Sequence, residues 1–351
     1  MGGRLSDIAS YAGVSVATVS RVLNGRDGVS DTARRNVLTA VDVLGYTRPT
    51  LLQSRAVGLI GVSVAELTNP IFPAYVQAIE RTLHSFGYSQ LLSTRNLGLP
   101  AEQASINLLQ QHGVSGMIFV CGIHSDSTAD TTQYHKLRRT GMPLAFINGH
   151  IDGFDAIFVS DDDITAMHIA VRHLAALGHT HIGLALGPTR YIPAARKRRG
   201  FHEAMHRIAP DGTADEQIAD YSVEGGQAAS VALIQRGCTA IIAASDFMAL
   251  GAVRAARSRG LDVPADISVI GYDGSTVTAF THPPLTTIQQ PVDAIAQATV
   301  RALVEEIGGA PAPRTELLFT PELVVRNSTS SGPKIRAPAV LAPRNQAQHP
   351  V

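Results

Sequence analysis

The residues of this chain best suited to recognition chemistry lie close together near its start. Ser15, Val16, Ala17, Thr18, Arg21 and Asn24 fall within LSDIASYAGVSVATVSRVLN, residues 5 to 24. Together they offer an arginine fork, hydroxyls, an amide and two small apolar side chains. That set suits hydrogen bonds to base edges and phosphates, with Val16 and Ala17 free to touch thymine methyl groups and Arg21 to reach guanine O6 and N7. Thr18, and further along Thr32 and Arg34, suit contacts that position a phosphate backbone without reading it.

The elements that must hold these residues follow from the flanking pattern. Ile8, Ala9 and Ala12 form an apolar stripe at helical spacing, with Ser6 as the expected N-cap and Gly13 as the turn. Ser15 then caps a second helix whose Val19, Val22 and Leu23 pack back on the first and leave Val16, Ala17, Ser20 and Arg21 outward. Two short helices so joined make a helix-turn-helix, whose second helix enters a major groove. An ordinary helical hairpin would use the same small residues, but charge argues against it. Residues 1 to 55 hold seven Arg against four Asp, whereas the remainder holds 22 basic and 25 acidic residues. A basic end on a slightly acidic body points to a phosphate-rich partner. A third helix starts at Ser30 and runs through Val37, Leu38, Val41 and Leu44 to a stop at Gly45.

The 351 residues exceed one ordinary domain, and 45% of them are hydrophobic. Net charge is zero, so any nucleic-acid binding is regional. Cys121 and Cys238 form no CxxC and no disulfide framework, which fits a reducing cytoplasm. No basic-then-apolar leader and no apolar run of membrane-spanning length is found, so the expected location is cytoplasmic, with no membrane partner.

Beyond the connector RPTLLQSRAV, residues 48 to 57, apolar β-type runs alternate with helical patterns. The runs are Leu59 to Val64, Leu91 to Ser93, Met117 to Val120, Leu144 to Ile147, Ile182 to Leu186, Ala240 to Ala243 and Ile267 to Ile270. This is an α/β pattern of parallel sheets covered on both faces. A break in rhythm near Ile157 to Asp163 divides it into two halves. In doubly wound sheets ligands bind beyond the carboxyl ends of the strands. Those ends carry Glu66 to Phe72, Thr94-Arg95, Cys121-Gly122, Asn148, Gly187 to Lys197, Ser245-Asp246 and Tyr272-Asp273. Phe72, which opens a helix, suits either stacking on a sugar or base or packing in that helix's core.

GVSVATVSRVLNG, followed by Val29-Ser30, Thr32, Arg34 and Leu44-Gly45-Tyr46, resembles the DNA-binding headpiece of the lac and gal repressor family. The likeness continues through Asn69-Pro70-Ile71-Phe72, Leu177-Gly178-His179, Ala244 to Gly251, Pro264 to Asp273 and Pro284 to Ile288. The resemblance implies a headpiece at 1–48, a hinge at 49–57 and a two-subdomain, doubly wound core like that of periplasmic binding proteins at 58–327. Its first subdomain would hold about 58–158 and 290–319, its second about 162–286 and 320–327. Residues 328–351, rich in Ser, Pro and Ala, are expected to form a disordered tail without leucine heptads.

By the same resemblance, Phe72 stacks on an effector and Asp273 accepts from sugar hydroxyls or base nitrogens. Lys197 stands where the family has a gripping arginine, and a lysine cannot make that planar fork, so Arg196 is a candidate to supply it. Asn148 replaces a common aspartate, and Ser245 and Gln290 match further contact positions. In the connector, family members carry a short helix that wedges leucines into the minor groove. Here that segment is about one helical turn shorter, with Leu51 and Leu52 as the wedge candidates.

Other signals read blandly. Asp161-Asp162-Asp163 is expected to cap a helix and complement its dipole. His179-x-His181 has metal spacing, but no third ligand is suggested nearby, so no metal is expected. No GxSxG, Walker loop or GxGxxG follows a strand, so neither catalysis nor a cofactor is expected. The sequence is thus read as that of a homodimeric repressor. Its affinity for pseudo-palindromic double-stranded operator DNA would be set by a small molecule, a sugar or sugar derivative. The competing reading is a cytoplasmic small-molecule binder or α/β enzyme with an incidental helical extension.

Overall fold

A computed structural model describes residues 2–23, 28–44, 57–94, 99–311 and 315–332. They divide into two compact units, one built on residues up to Leu59 with Leu83–Ser89, the other on Ile60–Thr82 and the chain from Gln90 onward.

The first unit contains α1 (Gly2–Ala12), α2 (Val16–Leu23) and α3 (Asp31–Val43). Their core is made of small side chains: Ile8, Ala9, Ala12, Val19, Val22, Leu23, Val37, Ala40 and Val41. Gly13 makes the turn with φ +64, where a side chain would be strained. Ser15 Oγ accepts from the Thr18 N–H at 3.1 Å and caps α2, and Ser30 Oγ does the same for α3 through Ala33. One expected cap is corrected: α1 begins at Gly2, so Ser6 lies inside the helix rather than ahead of it.

The second unit carries two six-stranded sheets. The first comprises β1 (Leu59–Val64), β2 (Ser89–Thr94), β3 (Gly116–Val120), β4 (Leu144–Ile147), β5 (Ile157–Asp161) and β11 (Leu317–Phe319). Its order is β11-β5-β4-β3-β1-β2. The second comprises β6 (His181–Leu186), β7 (Thr213–Ile218), β8 (Ala240–Ala243), β9 (Ser268–Asp273), β10 (Thr286–Gln289) and β12 (Glu322–Val324). There the order is β12-β10-β9-β8-β6-β7, parallel except for β12. Central strands such as β3, β4, β8 and β9 are buried throughout, as strands covered on both faces must be. Edge strand β7, TADEQI, is half-exposed and mostly polar.

The helices that matter below are α4 (Ile71–Ser85), α5 (Leu99–Gln111), α7 (Asp163–Ala176), α8 (Ile192–Ile208), α9 (Val223–Gln235), α10 (Asp246–Arg257) and α11 (Val292–Ile307), with α6 at Thr132–Arg139. The chain passes between the sheets three times: after Asp161, after Gln289 and between Phe319 and Glu322. The first and third crossings are tied by the Asp162 N–H, which donates to Phe319 O at 2.8 Å.

The expected tail is also corrected at its start. Ser328 Oγ donates to Val269 O and accepts from the Thr286 N–H. The Ser330 N–H donates to Ser268 Oγ at 3.0 Å, and the Gly332 N–H to Leu177 O at 2.8 Å. Residues 328–332 are therefore hydrogen-bonded onto the second sheet and its neighbours. Residues 333–351 lie outside the described part, as do Asn24, Leu51 and Leu52.

Candidate ligand cleft and nucleic-acid interface

The headpiece presents one face of α2. Val16, Ala17 and Arg21 are exposed, Thr18 is half-buried beside its cap Ser15, and Val19, Val22 and Leu23 are buried. Thr32 is exposed and Arg34 half-buried on α3. The buried Ile8, Val19, Val22, Leu23, Val37 and Val41 cluster lies behind this exposed face.

In the core, the strand ends converge on a cleft of about 850 Å³, part of it open to solvent. Phe72, Asn148, Lys197, Ser245, Asp273 and Gln290 all line it. Arg196 does not. It lies one residue from Lys197 on α8, hence about 100° around the helix, and forks both oxygens of Glu316 at 2.8 and 2.6 Å. It borders a separate polar pocket with His124, Asp126 and His150. The expectation that Arg196 supplies the bidentate grip is corrected accordingly.

Lys197 is almost fully buried. Its Nζ bonds the Asp163 carboxylate, and it sits 3.9 Å from the Tyr272 ring centre. Burial opposes its charge, yet Asp163, Tyr221 and Asp161 outweigh that and carry the ammonium above its ordinary range. Tyr272 OH donates to Asp161 and also lies 2.9 Å from Asp163 Oδ1. Burial, then the charge of Asp163, raises the Asp161 carboxyl to about 8. The three aspartates thus do different work from the capping role expected of them. Only Asp162 caps α7, through the Thr165 N–H at 3.0 Å.

Asp273 is held by a relay that crosses between the sheets. Tyr75 OH donates to Gln290 Oε1 at 2.8 Å, and Gln290 Nε2 donates to Asp273 Oδ1 at 2.8 Å. The other oxygen, Oδ2, is buried with no hydrogen-bond partner, although Asn69 faces the carboxyl and favours its charged form. Burial first, and then the charge of Asp246, lift the Asp273 carboxyl well above the usual carboxylate range. Ser245 Oγ is committed to capping α10 through the Met248 N–H at 3.2 Å. Asn148 Oδ1 accepts from the Asp161 N–H at 3.3 Å.

Among the described residues, three that are not glycine have left-handed φ: Cys121 (51°), Asn148 (62°) and Asp273 (110°). Each follows or ends a strand, and each lines the cleft. Backbone strain concentrated at one site is a mark of function. Sequence reasoning missed Tyr75, Tyr221 and Ser125, while Asn69 and Tyr191 fall within the strand-end stretches named from the sequence. The missed residues come from α4, the loop after β7 and the short helical turn Ile123–Ser125, so no local spacing connects them. Asp126 pairs with Tyr191, a lining residue, as an isolated bridge and with Arg190 Nε at 3.0 Å.

The loop carrying Cys121 to Ser125 is supported from below by Glu102. Its carboxyl accepts from the Ile123 N–H at 2.8 Å and from Tyr134 OH. A Cβ on Gly122 would lie 2.8 Å from Glu102 Oε2, so any larger residue there would have to displace the Glu102 carboxyl. Burial raises Glu102 to about 7. His124 donates from Nε2 to Ile147 O at 3.1 Å, and burial lowers it to about 4, so it is neutral. His179 is turned inward onto Thr239, Ser268 and Ser330, and shares no site with His181.

A helix-turn-helix joined to a two-sheet core with a buried polar cleft defines a ligand-responsive DNA-binding protein. Residues 4–49 match the family of bacterial regulatory proteins of the lacI type, and residues 171–329 match the periplasmic binding protein-like domain. The chain is 52% identical over 335 residues to the HTH-type transcriptional regulator MalR of Streptomyces coelicolor, covering 94% of this chain and 97% of that protein. Its fold matches the transcriptional regulator CelR in complex with cellobiose, with TM-score 0.69 and 29% identity over 92% of this chain and 99% of that one. It also matches the lac repressor dimer bound to operator and the anti-inducer ONPF, with TM-score 0.68 and 31% identity over 92% and 98% of the two chains. The protein belongs to the lacI family of bacterial transcriptional regulators. Among the described residues no helix is long and apolar enough to cross a membrane.

Proposed function

We propose that this regulator is a cytoplasmic homodimeric repressor whose grip on a pseudo-palindromic operator is set by a neutral carbohydrate held in the core cleft, and that it acts by binding rather than turnover. The observation that carries the effector assignment is the buried, unpartnered Asp273 Oδ2 beside aromatic rings. Such an atom costs roughly 1–3 kcal/mol. A sugar hydroxyl both donates and accepts, so it satisfies the carboxyl in either protonation state.

The charge inventory favours a neutral sugar over a sugar phosphate. Among the described lining residues the one cation is Lys197, and it is already committed to Asp163. Phe72, Tyr191 and Tyr221 offer ring faces for the apolar side of a sugar, with Asn148, Ser245 and Gln290 as further contacts. CelR with cellobiose and the lac repressor dimer on operator support the same reading for this chain.

On the DNA side, Arg21 reads guanine, Val16 and Ala17 touch thymine methyls, and Thr18, Thr32 and Arg34 join Ser15 and Asn24 in positioning the backbone. Leu51 and Leu52 are proposed as minor-groove wedges. The test is operator binding by the parent and by Asp273→Asn, titrated with neutral mono- and oligosaccharides and with sugar phosphates. The variant should keep operator affinity and lose the ligand response. An unchanged response in Asp273→Asn, or a response to phosphorylated sugars alone, rejects the effector assignment.

A further inference from the structure

We propose that His181, Asp215 and Cys238 form a binding site for a divalent transition metal of zinc type, at the end of the second sheet away from the cleft. The cleft lies beyond the carboxyl ends of the strands, whereas His181 is the first residue of β6 and Cys238 lies just ahead of β8. Asp215 sits in β7 opposite Gly183, two residues along from His181, so both side chains share one face of the sheet. One ligand atom from each of the three residues lies within 4.8 Å of the other two.

The three donors are an imidazole, a carboxylate and a thiol, the mixed nitrogen, oxygen and sulfur set that favours zinc or cobalt over magnesium or calcium. His181 Nε2 stands 2.7 Å from Asp215 Oδ2, and Cys238 Sγ stands 4.0 Å from the same oxygen. Ligands around a tetrahedral zinc are separated by roughly 3.3–3.6 Å, given bond lengths of about 2.0–2.3 Å. The His–Asp pair must therefore open and the sulfur close by less than about an ångström, within the reach of side-chain torsions.

Two glycines make the space. A Cβ on Gly183 would lie 3.0 Å from Cys238 Sγ, and Gly237, with φ +92, turns the chain just before Cys238. His181 and Asp215 remain about one quarter exposed, which leaves an open side for a water as fourth ligand. The nearest competing charge is Arg236. Its guanidinium donates chiefly to Glu216 O at 3.0 Å and to Gln217 Oε1 at 3.1 Å, and lies 3.6 Å from Asp215 Oδ1, the oxygen not facing His181. On binding, the Cys238 S–H bond breaks, sulfur takes the metal, and one proton leaves to solvent.

The experiment uses the full chain stripped with a chelator and titrated with cobalt(II) alone, read by absorbance and native mass spectrometry. One cobalt per chain is expected, with a thiolate-to-cobalt charge-transfer band that zinc abolishes by displacement. Cys238→Ser should lose the band while Cys121→Ser keeps it. His181→Gln should weaken binding by more than the roughly 10- to 100-fold that a supporting contact costs. If Cys238→Ser does not fold by circular dichroism, the affinity of His181→Gln decides. No stoichiometric uptake by the parent, a band that survives Cys238→Ser, or undiminished affinity in His181→Gln overturns the site.

Discussion

On the side of the cleft supplied by β1 to β5 and their loops, Phe72, Asn69 and Asn148 present a ring and neutral amides, with Glu66 the one charged lining residue, whereas the β6 to β10 side presents Lys197 and Asp273 with Asp163 and Tyr272 behind them. The supports differ in the same way. The first side rests on a carboxyl, Glu102, raised to about 7 by burial and held by neutral donors. The second rests on a buried ion pair, Lys197 with Asp163. A side built on neutral groups yields cheaply to a ligand's shape. A side built on a desolvated pair is rigid, because moving either partner strands a charge. We therefore expect the first side to adapt on binding and the second to set orientation.

The largest test of that contrast is Lys197→Met. It removes the ammonium and leaves Asp163 buried without its countercharge, so the core should lose about 3–5 kcal/mol near neutral pH. Urea unfolding of the parent and variant measures this. A loss below about 1 kcal/mol would show that the charged side is no more rigid than the neutral one.

Next comes the pH response of the neutral side. Glu102 has its folded pKa raised to about 7 from an ordinary 4.5, so its contribution is fully present below about 4.5 and is lost as pH rises through 7. A 2.5-unit shift amounts to about 3 kcal/mol. Asp161 and Asp273 are raised as well and act in the same direction. Stability should therefore fall between pH 5 and 8, and Glu102→Gln should flatten part of that fall while leaving the rest. Parallel slopes for parent and variant would place the titration elsewhere.

A smaller effect is expected from Phe72→Ala. The ring is only half-buried, so its loss should scarcely alter folding. Affinity for a neutral sugar should fall about 10-fold, equivalent to about 1.4 kcal/mol. Calorimetric titration of the variant checks this, and equal affinities would mean that the ring packs on its own helix rather than on the ligand.

These contrasts were only partly legible in the sequence. The headpiece was, because its apolar spacing and the Ser15 and Ser30 caps operate within a few residues. The start of α1 was not, since nothing local forbids a helix from running back through Ser6 to Gly2. Runs such as Met117 to Val120 and Ala240 to Ala243 announced buried strands, but TADEQI did not, because a half-exposed edge strand keeps its polar side chains. Arg196 and Lys197 are adjacent in sequence and diverge around a helix, and the partner that claims Arg196 is Glu316, far along the chain. The left-handed φ at Cys121, Asn148 and Asp273 falls in each case on the residue just before a glycine, Gly122, Gly149 and Gly274, so the sequence marks a turn there without showing that the non-glycine residue takes the left-handed conformation. Tyr221 reaches the cleft only through tertiary packing.

The smallest expected effect separates scaffold from contact on the charged side. Ser245 Oγ accepts from the Met248 N–H at 3.2 Å while lining the cleft, so the same oxygen serves as helix cap and as candidate ligand contact. An acceptor used by the cap retains its hydroxyl proton, which it can donate to a ligand. Ser245→Ala should thus cost about 1 kcal/mol of core stability through the lost cap. Ser245→Asp restores a capping acceptor at the α10 N-terminus but has no hydroxyl proton to donate. If Asp recovers stability and not sugar affinity, the residue does both jobs. If it recovers both, the cap alone explains Ser245, and orientation of the ligand on this side falls to Asp273 and Gln290.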